Sequence, residues 1–199
     1  MRKILFLTVA LASLSLAGNR LWAGEIQGQV HAPVSKFQKD VVVYVDAIQG
    51  KTFQPPEKHV VVDQKNLSFN PHVLPLLVGT TVDFLNSDAV LHNVFSPDAV
   101  ADKFNLGTWP KGQTRPHTFQ KVGSAAVLCN VHPEMEAFIV ILPTPYFAKT
   151  DEQGNFKIEG VPAGTYTLKV WHEKNWKAAP QKVTVAEKGA VTVELQVKR

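Results

Sequence analysis

The chain has 199 residues, with 21 Lys and Arg against 17 Asp and Glu, a formal charge of +4 and a single Cys. One cysteine excludes an internal disulfide framework, and the lack of a basic stripe interleaved with aromatics argues against nucleic acid as a partner. Thirteen prolines argue against long helices.

In chain order, Arg2 and Lys3 open the sequence with positive charge, Ile4 to Ala17 is an uncharged apolar run, and Leu21-Trp22-Ala23 ends on a small residue. That order is expected of a secretory signal peptide over residues 1–23, cleaved near Ala23, which gives a periplasmic or otherwise exported protein. The apolar run is short for a bilayer span, which takes about 20 residues, so no membrane span is expected in the mature chain. Removing residues 1–23 takes away Arg2, Lys3 and Arg20 and no acid, so the charge falls from +4 to +1.

The remainder reads as all-β. Short Val, Ile, Thr and aromatic runs stand at Val41–Val45, Val60–Val62, Thr80–Leu85, Ala125–Leu128, Phe138–Leu142, Tyr166–Trp171 and Val191–Val197, separated by Gly, Pro, Asn and Asp. Such spacing suggests sandwiches or barrels. Residues 58–143 combine β runs with His, Asn, Cys and Met. Residues 24–57 and 144–199 are plainer β sequence, and Pro55-Pro56 and Pro143-Thr144-Pro145 mark the two joins.

The chemistry concentrates at C-N-V-H-P-E-M, residues 129–135. It holds the chain's only Cys and its only Met besides the initiator, with His132 between them, and His92 follows an upstream β run. Thiolate, two imidazoles and a thioether form the ligand set of a blue-copper site, a His, His, Cys plane with a weak axial Met. Cys129, His132 or Met135 taken singly reads as a core or surface residue. Together they read as a metal site of His92, Cys129, His132 and Met135. Zinc is the alternative metal, since Cys and His also hold zinc, but thioether favours copper. His31, His59, His72, His117 and His172 read as scattered surface histidines, and no H-x-H pair provides a second copper centre.

The segment 58–143 resembles the cupredoxins of the plastocyanin and amicyanin type, through L-H-N-V-F at 91–95, C-N-V-H-P-E-M at 129–135 and V-G-T-T-V-D-F-L-N at 78–86. The resemblance implies a Greek-key β-sandwich with one type 1 copper on His92, Cys129, His132 and Met135. It further implies that Asn93 ties the ligand loops together. Val131 stands where such proteins commonly carry Pro; its N–H is a possible donor to the thiolate, as in azurin-like members. The stretch 151–170, D-E-Q-G-N-F-K-I-E-G-V-P-A-G-T-Y-T-L-K-V, resembles a carboxypeptidase-regulatory or transthyretin-like sandwich, and the N-terminal runs resemble its first strands. The expected organisation is therefore a cupredoxin, residues 58–143, inserted in or packed with a second sandwich of residues 24–57 and 144–199.

The function expected is one-electron carriage by a non-enzyme, with a redox protein partner docking near His132. Copper delivery and a structural interaction module are the alternatives.

Overall fold

The computed structural model describes residues 23–199, so the signal expected over residues 1–23 lies, apart from Ala23, outside the described residues. Among the described residues the helical segments are two single 3₁₀ turns, Ser35–Phe37 and Ala99–Ala101. The chain is all-β.

Two sheets come from the flanks. One has the order β13 (Asn155–Pro162), β1 (Ala23–His31), β16 (Ala190–Gln196), with β1 antiparallel to β13 and parallel to β16. The other has the order β12 (Phe147–Lys149), β2 (Val42–Val45), β14 (Gly164–Trp171), β15 (Gln181–Val185). Two more come from the middle of the chain. Their orders are β4 (Phe69–Asn70), β3 (Val60–Gln64), β6 (Thr81–Asn86), β9 (Thr114–Thr118), and β5 (Val73–Leu77), β11 (Glu136–Leu142), β10 (Gly123–Leu128), β7 (His92–Phe95), β8 (Asn105–Trp109). The run at Val41–Val45 thus pairs with flank strands, through β12 and β14.

Three apolar layers hold the sheets together. Ile26, Val30, Ile158 and Val193 meet Val41, Val43, Leu168 and Val183 between the flank sheets. Val62, Val82 and Phe84 meet Val94, Val127, Ile139 and Ile141 between the middle sheets. Val42, Val73, Val140 and Leu142, with Tyr44, Phe138, Phe147 and Trp171 against them, fill the space between one flank sheet and one middle sheet. The four sheets are therefore stacked. A strand alternates its side chains between two faces, so β2 and β11, apolar at nearly every position, can bury both. Val43 and Val45 face one layer and Val42 the other, and Ile139 and Ile141 are likewise opposed to Val140 and Leu142. Each such buried side chain contributes on the order of 1.5–3 kcal/mol.

Polar contacts hold the segments around these layers, and the one from His72 to Glu173 crosses between the two sandwiches. Thr144, fully buried, donates its hydroxyl to the Val45 carbonyl at 2.7 Å. His72 places Nδ1 3.1 Å from the Glu136 carbonyl and Nε2 2.8 Å from the Glu173 carboxylate. Each ring nitrogen is thus placed against one acceptor. At Asp151–Asn155 the Asp151 carboxylate accepts the Gln153 and Asn155 amides, and Gly154 takes φ +84°, a conformation that favours glycine.

Two histidines depart from the surface reading. His172 is 3% exposed, with Nε2 on the Phe37 carbonyl and Nδ1 accepting the Lys174 amide. His117 stacks on Phe104 at 3.9 Å between ring centroids. Phe37 and Trp176 lie against the His172 ring, and Phe104 and Phe119 against the His117 ring.

Candidate metal centre

Strand β7 carries His92 at its first position, fully buried, and Cys129 follows the last residue of β10. The loop from Cys129 returns to β11 at once, and the Met135 amide donates to the His132 carbonyl at 2.9 Å, closing a tight turn. Adjacent antiparallel strands β7 and β10 meet at Leu128 and Phe95. The pairing brings residues far apart in sequence to one end of the sandwich.

There, one donor atom each from His92, Cys129 and His132 lies within 4.8 Å of the others. The two Nδ1 atoms of His92 and His132 stand 3.1 Å apart. Two nitrogens each about 2.0 Å from one ion at a near-tetrahedral angle stand roughly 3.3 Å apart, so the rings already have the spacing of two ligands on one metal. Cys129 and Met135 are 2% and 1% exposed and share one apolar cluster, so both sulfurs are shielded from bulk water. The donor set fits copper.

The surroundings orient these donors. His92 Nε2 lies 2.9 Å from the Asp88 carboxylate, which holds the ring proton on that nitrogen and leaves the Nδ1 lone pair facing the site. Asp88 is itself held by the amides of Asn66 at 2.8 Å and Leu67 at 2.9 Å. Burial pushes its carboxyl up, but the Leu67 and Asn66 amides and the His92 ring outweigh that and bring it down to about 2. It is therefore a carboxylate at any working pH. Asn86, fully buried, spans the loop between β6 and β7, donating to the Val90 and Trp109 carbonyls at 2.9 Å and accepting the Asp88 amide at 2.9 Å.

Asn93 joins three segments. Its Oδ1 accepts the Asn130 amide at 3.3 Å, its Nδ2 donates to Asn105 Oδ1 and to the Gly107 carbonyl, and its backbone N–H donates to Cys129 Sγ at 3.4 Å. The amide that reaches the sulfur is therefore that of Asn93 rather than Val131, whose side chain is 47% exposed at the loop tip. The strand pairing explains the difference: Asn93 follows His92 along β7 and its buried amide faces the thiol, whereas Val131 has turned out with the loop. Sequence reasoning also passed over Asp88 and Asn86. An acid four residues before His92 and an Asn ending a β run were the available signals, but neither type is diagnostic in a polar loop.

Residues 56–142 match the family model described as copper binding proteins, plastocyanin/azurin family. The middle of the chain is cupredoxin-like. Residues 133–198 match the carboxypeptidase regulatory-like domain, which leaves residues 24–57 outside both matched segments apart from their last two. Among solved structures the chain is similar to a purple cupredoxin from Nitrosopumilus maritimus, at 25% identity over 41% of this chain and 98% of that one, with a TM-score of 0.38. A reduced amicyanin variant aligns at 24% identity over 50% of this chain and 97% of that one, with a TM-score of 0.41. A copper-containing nitrite reductase from Thermus scotoductus SA-01 aligns at 28% identity and a TM-score of 0.42, over 50% of this chain and only 25% of the reductase. No curated protein sequence matches the chain.

Proposed function

We propose that the chain is an exported one-electron carrier, with a single type 1 copper on His92, Cys129, His132 and Met135. The observation that carries this reading is the buried convergence of two imidazole nitrogens and a thiol within 4.8 Å on a cupredoxin-like sandwich. Copper in such a set supplies one electron by cycling between its two accessible oxidation states. The protein's part is to keep the donors still through that cycle. Asp88 fixes the His92 ring, Asn93 fixes the Cys129 loop against β8, and the Met135–His132 turn fixes the rest. Docking over His132 is supported by the exposed Val131, Val90 and Leu91, with the exposed Pro133 in the contact and Glu134 at its rim.

We assign residues 58–143 to the copper-carrying unit and residues 24–57 with 144–199 to the second sandwich, in keeping with which strands pair. The role of carrier without catalysis rests on the one candidate centre among the described residues and on the absence of H-x-H histidine pairs in the sequence.

Voltammetry of the copper-loaded protein, together with a chelator challenge, tests the reading. A reversible one-electron wave and copper retained against the chelator are expected. Ready loss of copper without a reversible wave would favour delivery, and binding of partners unaltered in Cys129→Ala would favour an interaction module.

A further inference from the structure

Between the two sandwiches, away from the donor cluster, lie two cavities of about 210 and 490 Å³ that share Lys39, Asp40 and His72 in their walls. The smaller reaches Lys36 and Glu173, and the larger reaches Lys65 and Lys149. Four lysines thus face two carboxylates. Both carboxylates are already occupied: Asp40 pairs with Lys149 at 2.8 Å, and Glu173 with His72 at 2.8 Å and Lys174 at 3.1 Å. Lys39 is held only by the exposed Glu152 at 3.3 Å. Among the described residues Lys36 and Lys65 have no carboxylate within ion-pair distance, and Lys36 lies over the Phe37 ring instead. A cleft lined by an excess of one sign concentrates the opposite ion.

We propose that this inter-sandwich cleft binds a small multivalent anion, carboxylate or phosphate in chemistry, with one charged group near Lys65 and Lys149 and another near Lys36 and Lys39. The larger cavity, about 490 Å³, is within the range of about 300–1,000 Å³ usual for small-molecule sites, and the smaller lies across the shared wall of Lys39, Asp40 and His72, so lysines of both can act on a ligand with two anionic ends. The cleft also adjoins the metal centre's support. Asn66 lines the larger cavity, and its amide holds the Asp88 carboxylate that orients His92. Asn66 and Leu67 both take φ of 55° in a turn closed by the Lys65 amide on the Ser68 carbonyl at 2.9 Å. An anion on Lys65 therefore draws on the same turn that fixes a donor ring.

The test is a titration of the full metal-free protein with citrate and, separately, with pyrophosphate, followed by amide NMR shifts at constant ionic strength. Saturable shifts at Lys65, Asn66 and Leu67 are expected with at least one of the two anions, and which one responds identifies the carboxylate or phosphate source. Lys36→Glu with Lys65→Glu should weaken binding by about tenfold or more, the loss of a charge-assisted contact, while Lys182→Glu on β15 leaves it unchanged. Unchanged thermal midpoints establish that the variants fold. Shifts that never saturate, or that survive the double reversal, overturn the proposal. Because the titration needs no copper, its failure is separable from failure of the carrier reading.

Discussion

His172 is a buried base whose Nε2 is bonded to the Phe37 carbonyl, under a Trp176 ring stacked at 4.8 Å. Burial lowers its pKa, and the hydrogen bond to Phe37 only partly offsets that. The folded value then lies below the unfolded value of about 6.5, so protons bind the unfolded chain first as pH falls. The stability due to His172 is complete above about 6.5 and is lost progressively below it. Wild type should therefore lose stability towards acid faster than His172→Gln, and the gap between them should narrow from pH 8 to pH 5 in urea titrations. A gap that widens would contradict the burial account. On the proposed copper reading Met135 is the axial donor, and a weak axial thioether tunes the metal more than it anchors it. Met135→Leu should retain copper and shift the midpoint potential, and complete copper loss in that variant would count against the axial role. Asn93→Ala should cost about 1–3 kcal/mol by leaving the Gly107 carbonyl and the Asn130 amide without their partner. At this scale the candidate donors were legible in the sequence because Cys and Met are so scarce. Asp88 and the Asn93 amide were not, because their roles depend on which backbone groups the folded loops present.

Strands β2 and β11 explain most of what the sequence announced about the fold. V-V-V-Y-V and F-I-V-I-L are unbroken apolar runs, and each is buried on both faces between stacked sheets. Strands with one wet face were harder to read: β9 is T-R-P-H-T, largely exposed, and belongs to a sheet only through its antiparallel pairing with β6. The short β12 owes its pairing with β2 to a long-range contact that local patterning does not encode, whereas β4 closes a local hairpin with β3. Ile139 and Leu142, on opposite faces of β11, should each cost ~2–5 kcal/mol on truncation to Ala. The first empties the layer between the middle sheets and the second the layer between the sandwiches. Urea unfolding of both variants checks the magnitude.

The shared layer of Val42, Val73, Val140 and Leu142 couples the two sandwiches, and the His72–Glu173 contact spans its border. Heat or urea should therefore unfold the described chain in one transition by fluorescence and circular dichroism. Leu142→Asp, which buries a charge in that layer, should split it into two, and two transitions already in wild type would refute the coupling. On the proposed reading this fold holds the Cys129 thiol and the His92 and His132 imidazoles together as copper donors. The most direct measurement of that claim is the visible absorption spectrum of the copper(II)-loaded protein beside Cys129→Ser. An intense thiolate-to-copper band is expected in the wild type and should vanish in Cys129→Ser. No such band in the wild type, or the same colour in both proteins, would contradict the account.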